Sequence, residues 1–321
     1  MANTPVPEKI NGTFSGKDIL DSNQFSKEDI ATVFQAATKM KQLVEEKGGS
    51  DILKGKVMTA MFYEPSSRTF GSFVSAMQRL GGGFIPLQGM TNSSAGKGET
   101  LEDTIQVFAS YSDVLVLRHP EVGSVGRAAA ITKIPVINAG DGIGEHPTQA
   151  LYDLYTIQET FQRVENLHVV FFGELGRYRP VNSLAKLLAL YPKNRISFIS
   201  PDEGKANTQT LQYLKEKQVP FVEGAEIDEV IGEADALYVT RVKKEFMSEE
   251  IYNKIKGNYV VDKELINKMK QKSIVMHALP RIDEIATEVD SDPRAVYLRS
   301  QVRNGMYVRM ALLALVLGKI V

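Results

Sequence analysis

The sequence predicts an α/β protein of two doubly wound domains, each a parallel sheet flanked by helices and joined by interdomain helices. Three observations carry this expectation. Short apolar runs that read as buried strands alternate with segments whose apolar residues recur at helical spacing. The alternation runs once through the first half and restarts near Leu167. The 321 residues are enough for two domains of ordinary size. The expected boundaries are 1–147, completed by a terminal helix at 304–321, and 148–303.

Composition narrows the function classes. The formal net charge is −1 with acids and bases interspersed, so nothing points to nucleic acid or an anionic membrane. The absence of cysteine excludes disulfides, thiolate nucleophiles and cysteine-zinc sites, and fits a reducing compartment. Residues 1–17 are polar, carry two prolines and lack an apolar signal core, so they read as a loose lead-in. No stretch is long and apolar enough to span a bilayer, and a soluble cytoplasmic protein is expected.

In chain order, Ile30, Val33, Phe34, Ala37, Met40 and Leu43 make an amphipathic helix over 26–47, ended by Gly48-Gly49. A strand over 56–63 leads into Glu64-Pro65-Ser66-Ser67-Arg68-Thr69. Beyond it Phe73, Val74, Met77 and Leu80 recur at helical spacing, which places Ser66, Ser67, Arg68 and Thr69 in the first turn of a helix. Unpaired amide groups, the positive end of the helix dipole, three hydroxyls and a guanidinium make a cradle for phosphate or another compact dianion. A plain serine N-cap beside an incidental arginine explains the same residues as well. Glycines 81–83 close the helix and a second strand follows over 84–87.

The segment 91–100 is polar, with Lys97 between two glycines, and could carry a cation to a substrate phosphate. It is not a nucleotide P-loop, because Thr91 stands where the first glycine belongs and Gly98 replaces the Ser or Thr. Taken alone it reads first as a solvated loop. After a helix over 101–110, the strand that starts at Asp113 keeps its apolar run until Arg118, and ligands of open parallel sheets gather at such carboxyl ends. A strand over 134–138 and a glycine-rich turn lead to His146 and Gln149, on one face of the first turn of a helix that runs to Thr160. A lone histidine is usually structural; here His, Gln and Arg all fall at strand-to-helix junctions.

The second half reads as strand 167–172, helix 181–190, strand 195–200, helix 207–217, a strand from Ala236 capped by Arg241, and a last strand 273–277 closed by Ala278-Leu279-Pro280-Arg281. The terminal segment 305–321 is a helix apolar on most faces, so it must pack into a core. Gly173 and Gly176 do not complete a dinucleotide turn, since Phe171 stands where the first glycine belongs.

Glu64-Pro65-Ser66-Ser67-Arg68-Thr69, Lys97-Gly98-Glu99-Thr100, Arg118-His119-Pro120, Asn138-Ala139-Gly140-Asp141-Gly142, His146-Pro147-Thr148-Gln149 and His277-Ala278-Leu279-Pro280-Arg281 stand in an order that resembles the aspartate/ornithine carbamoyltransferase family, over nearly the whole chain. Thr240-Arg241-Val242 and the absence of cysteine in the His277 motif resemble the aspartate branch. The resemblance implies transfer of the carbamoyl group of carbamoyl phosphate to L-aspartate, giving N-carbamoyl-L-aspartate and phosphate, a step of pyrimidine biosynthesis. It implies that Ser66, Ser67, Arg68 and Thr69 hold the phosphate, with Arg118 bridging phosphate and carbonyl oxygen. Thr69, Arg118 and His146 would donate to that oxygen, and Gln149 with the Leu279 carbonyl would hold the carbamoyl nitrogen. Arg179 and Arg241 would pair with the acceptor carboxylates, with Lys97 also on the acceptor side; Lys243, where the family has another residue, could bind an acidic group of the acceptor. Ser94 and Lys97 would come from a neighbouring subunit, so the smallest assembly would be a homotrimer with shared sites. A regulatory chain or pathway enzyme is a further partner compatible with the family.

The chemistry agrees with that assignment. Attack of an amine on a carbamoyl carbon passes through a tetrahedral oxyanion that needs preorganised donors. Phosphate leaves readily once neutralised and can itself take the ammonium proton, so no cofactor, metal, covalent nucleophile or dedicated base is required. The departures from the family pattern fall on the acceptor side: Pro180 for a threonine, Asn182 for a histidine, Lys243 for a glutamine, Phe246 near a missing arginine, and Ala278 for a proline. Three readings follow: aspartate carbamoyltransferase, a carbamoyltransferase with another amine acceptor, and a catalytically impaired binding or regulatory paralogue. The first leads, because both carboxylate-binding arginines remain.

Overall fold

The computed structural model describes residues 7–89, 98–242, 248–255 and 257–319. The chain divides into two compact units, 1–152 with 303–321, and 153–302. No helix among the described residues is long and apolar enough to cross a membrane.

The first unit is built on four parallel strands, β1 (Val57–Phe62), β2 (Gly83–Gln88), β3 (Val114–His119) and β4 (Val136–Asp141), in the order β2-β1-β3-β4. The central strands are buried on both faces, with Met58, Ala60 and Met61 of β1 and Val114 to Leu117 of β3 all inaccessible, and so they read as continuous apolar runs. Helix α1 (Lys27–Lys47) starts from Ser26, whose hydroxyl accepts the Asp29 amide while Asp29 returns the bond, and it ends at Gly48 with φ of 77°. The other helices described here are α2 (Ser67–Arg79), α3 (Leu101–Ala109), α4 (Ser124–Ile131) and α5 (Pro147–Phe161), the last running on into the second unit. Helix α11 (Ser300–Val316) brings the chain back, with Tyr307, Val308 and Met310 to Ala314 buried.

Two expectations change in this unit. The lead-in is not loose from residue 7 onward: Ile10 and Phe14 are buried, the Phe14 and Phe25 rings lie 6.5 Å apart, and Ile19 bridges to Ile137. The Ile19 amide donates to the Val136 carbonyl and the Ile19 carbonyl accepts the Asn138 amide, which covers the free edge of β4 in a way that a polar composition does not reveal. The terminal helix begins at Ser300 and stops at Val316, because Gly318, at φ of 69°, turns the chain back.

The second unit holds β5 (His168–Phe172), β6 (Arg195–Ile199), β7 (Phe221–Glu223), β8 (Ala236–Val239) and β9 (Ile274–His277), all parallel, in the order β7-β6-β5-β8-β9. Around it lie α6 (Arg179–Leu188), α7 (Thr208–Glu216), α8 (Ile227–Val230), α9 (Glu249–Ile255) and α10 (Lys263–Lys268). One core packs Val170, Phe172, Leu237, Val239 and Val275 of the sheet against Leu265, Ile266 and Met269 of the α10 region. A buried polar knot underlies it: Asp153 accepts the Tyr238 hydroxyl at 2.8 Å and the Gln301 amide at 2.7 Å, and Gln301 in turn accepts the His277 backbone N–H at 3.0 Å.

At the amino end of β5, His168 is buried and shares a 2.8 Å hydrogen bond with Ser197. Burial, with Arg195 adding to it, lowers its pKa to about 4. The unfolded chain therefore binds the extra proton first, so this histidine contributes stability that is present above the ordinary histidine pKa and is lost as pH falls toward 4. Between pH 7 and pH 5 the wild-type protein should lose about 2 kcal/mol more unfolding free energy than His168→Gln, as read from urea denaturation at the two pH values.

Candidate active site

Each sheet has a topological switch point, where successive crossovers leave a strand in opposite directions and loops splay apart. In the first unit β1 is followed by β2 on one side and, later, by β3 on the other. Phe62, the last residue of β1, pairs with Arg118 of β3, so the loop after β1 and the Arg118 side chain leave the sheet together.

That loop delivers the cradle. Ser66 stands at the N-cap position of α2 with φ −159° and makes no side-chain cap bond, so the plain serine-cap reading does not describe it. Arg68 is exposed and Thr69 is buried. The first-turn amides of α2 have no acceptor within the helix and face outward with its dipole. Arg118, 14% exposed at the side chain, is held by the Ala139 carbonyl at 3.2 Å and by Glu64 at 3.4 Å. Its charge is thus aimed in advance and half compensated until another anion arrives.

His146 and Gln149 reach the same carboxyl end from β4, at 3% and 4% exposure. Their approach is fixed by Asp141, which accepts from the Glu145 and Gly123 amides at 2.8 and 2.9 Å and from the Asn138 side chain at 3.2 Å. Burial raises the pKa of Asp141, and these donors oppose the rise. Glu145 is tied back to Ser22, whose hydroxyl donates at 2.9 Å. Gly142, at φ of 52°, has no room for a side chain, since a Cβ would come 2.5 Å from the Pro120 carbonyl oxygen. Lys97 and Ser94 lie outside the described residues.

In the second unit the switch falls between β5 and β8. Their exits are locked together: Thr240 donates its amide to Phe172 at 2.8 Å and its hydroxyl to Glu174 at 2.7 Å, and a Cβ on Gly173 would sit 2.2 Å from the Thr240 carbonyl oxygen. Arg241 follows directly and Arg179 opens α6, so two half-buried guanidinium groups stand at the carboxyl ends of neighbouring strands. Pro180 occupies the first turn of α6, where its missing N–H costs nothing. Asn182 is buried and accepts the Thr210 hydroxyl of α7 at 3.1 Å, so that departure is absorbed in helix packing. Lys243 and Phe246 lie outside the described residues.

β9 delivers the last loop. Leu279 is held at φ of 58°, a left-handed conformation that costs a leucine on the order of 1–3 kcal/mol. Its amide donates to His277 Nδ1 at 2.6 Å, so the imidazole proton sits on Nε2 and is given to Glu284 at 2.8 Å. Burial opposes charge on Glu284, but the bonds from His277 and the Ile282 amide outweigh it and hold the carboxyl below its ordinary pKa. Downstream, Arg281 forks onto Asp290 and lies over the Tyr297 ring. Among the described residues no cluster of His, Asp and Glu suits a metal ion.

Residues 17–159 match the aspartate/ornithine carbamoyltransferase carbamoyl-P binding domain, and residues 165–316 match the Asp/Orn binding domain of the same family. The chain belongs to the aspartate/ornithine carbamoyltransferase family. It is 45% identical over 307 residues to a chloroplastic aspartate carbamoyltransferase of Arabidopsis thaliana, covering 95% of this chain and 78% of that one. It is 47% identical over 309 residues to the multifunctional protein pyr1-3 of Dictyostelium discoideum, covering 96% of this chain but only 14% of that much longer one. A crystal structure of Trypanosoma cruzi aspartate transcarbamoylase with N-(phosphonacetyl)-L-aspartic acid superposes with a TM-score of 0.90 at 40% identity, covering 95% and 97% of the two chains.

Within this family chain, sequence reasoning missed the acidic partners. These are Glu64 beside Arg118 and Glu284 beside His277. For Glu64 the available signal was an acid two residues beyond the end of β1; Glu284, seven residues beyond β9, offered none.

Proposed function

We propose that the chain transfers the carbamoyl group of carbamoyl phosphate to the amino group of L-aspartate. The observation that carries this is that each sheet has an anion-receptive switch point, Ser66 to Thr69 with Arg118 in one and Arg179 with Arg241 in the other. Family membership supports the residue roles. The phosphate sits on the α2 amides, the hydroxyls of Ser66, Ser67 and Thr69, and Arg68. Arg118, Thr69 and His146 donate to the carbonyl oxygen as it becomes the tetrahedral oxyanion, and Gln149 and the Leu279 carbonyl orient the carbamoyl nitrogen. Arg179 and Arg241, with Lys97 and Lys243, hold the two aspartate carboxylates so that the amine faces the carbamoyl carbon. The amine attacks, the bond to phosphate oxygen breaks, and the departing phosphate takes the amine proton.

The test is phosphate release by purified protein with L-aspartate, ornithine, putrescine, other acidic amines or no acceptor. Saturation with aspartate and formation of carbamoyl aspartate are expected. Turnover with another amine alone would assign Lys243 and Pro180 to a different acceptor, and none with any acceptor would leave a binding paralogue.

The homotrimer belongs to the same proposal, and the family resemblance, which implies a Lys97 drawn from a neighbouring subunit, supports it. Mixing Arg68→Ala with Lys97→Ala subunits should restore activity in hybrids, because some sites then have both residues; verified hybrids without activity would refute shared sites. The multifunctional relative carries its matching segment inside a longer chain, which supports pathway-enzyme partners here. The absence of cysteine supports a reducing compartment such as the cytoplasm, which fractionation of cells tests.

A further inference from the structure

The loop after β9 is clamped at both ends by side chains that have no role in the reaction as proposed. On its upstream side the Leu279 amide is received by His277 Nδ1, across Ala278, at 2.6 Å. The imidazole cannot turn: Nε2 is bound to Glu284 at 2.8 Å, and His277 is only 1% exposed. Glu284 is fixed in turn, its second oxygen accepting the Ile282 and Asp283 amides at 2.9 and 3.1 Å. On the downstream side Arg281 is forked onto Asp290. These anchors fix the chain on both sides of the Leu279 carbonyl.

We propose that His277 and Glu284 are a positioning pair that sets the direction of the Leu279 carbonyl, and through it the preference of the site for a carbamoyl group over an acyl group of the same shape. The inference rests on the functional reading above. A carbamoyl NH₂ donates to that carbonyl, whereas the methyl of acetyl phosphate occupies the same space and donates nothing. Glu284 matters as much as His277, because it keeps the imidazole proton on Nε2 and leaves Nδ1 free to accept. Position 278 also bears on the pair. Here it is alanine, without the ring that would restrict the backbone there, so the imidazole bond that spans it carries more of the constraint.

The experiment measures dissociation constants of carbamoyl phosphate and acetyl phosphate for wild type, Glu284→Gln and His277→Asn, with melting curves confirming that each is folded. Glutamine still offers an oxygen to the Ile282 and Asp283 amides, but its NH₂ faces Nε2 and moves the ring proton to Nδ1. Glu284→Gln should weaken carbamoyl phosphate about tenfold and leave acetyl phosphate within about twofold. His277→Asn keeps an acceptor for the amide two residues on and should stay within about threefold of wild type for both. If Glu284→Gln does not fold, His277→Leu takes its place with the same expectation. Equal weakening of both ligands, or no weakening of either, in folded Glu284→Gln (or in His277→Leu where that takes its place) overturns the proposal. Wild type that shows no preference for carbamoyl over acetyl phosphate counts against the functional reading instead.

Discussion

Arg118→Ala should lower kcat about a thousandfold, on the order of 4 kcal/mol of transition-state stabilisation, with a smaller change in the binding of aspartate. The guanidinium is preset by the Ala139 carbonyl and Glu64, so its removal takes away a donor that needs no reorganisation when the oxyanion forms. It also leaves Glu64 facing the incoming dianion without its counter-charge. That second consequence is separable: in Arg118→Ala with Glu64→Gln, steady-state kinetics should recover part of the loss. Double-variant activity no better than that of Arg118→Ala would mean that Glu64 only braces the loop.

The largest stability effect is expected at Asp153, which is fully buried. Asp153→Ala leaves the Tyr238 hydroxyl and the Gln301 amide without their acceptor in a dry interior. Losing both costs about 3–5 kcal/mol, which for a unit of this size lowers the melting midpoint by roughly 10 °C. Asp153→Asn, which keeps one acceptor oxygen, should cost less. Gln301 also holds the His277 backbone, so the alanine variant should weaken carbamoyl phosphate as well as stability. Calorimetry and a binding titration on the same preparation check both, and a midpoint within about 2 °C of wild type would contradict the account.

Strand–helix alternation was legible because parallel strands covered on both faces must be apolar at every position, as in Val169 to Phe172. The junction arginines were legible for the same reason: Arg118 and Arg241 interrupt such runs at the end where ligands bind. What was not legible depends on contacts distant in the chain. Three-residue β7 pairs with β6 alone, leaves Val222 half exposed and so lacks an apolar signature. Helix α4 is short and rich in small residues, giving a weak helical period. The serines and acids that fix the site, such as Ser22 on Glu145, act across 123 residues, and no local pattern encodes that pairing. Asn182 shows the converse, since a departure that suggested an altered acceptor site proves to be bound to Thr210 in helix packing.

The proposed reaction needs a phosphate compound and a dicarboxylic amine to be bound together. N-(phosphonacetyl)-L-aspartate joins a phosphonate and two carboxylates in one molecule, so its binding to the purified protein, compared with phosphonoacetamide and succinate separately, tests that claim most directly. Binding at least about a hundredfold tighter than either fragment, with a large loss in both Arg68→Ala and Arg241→Ala, is the predicted result. Affinity no greater than that of phosphonoacetamide, and indifferent to Arg241, would contradict it.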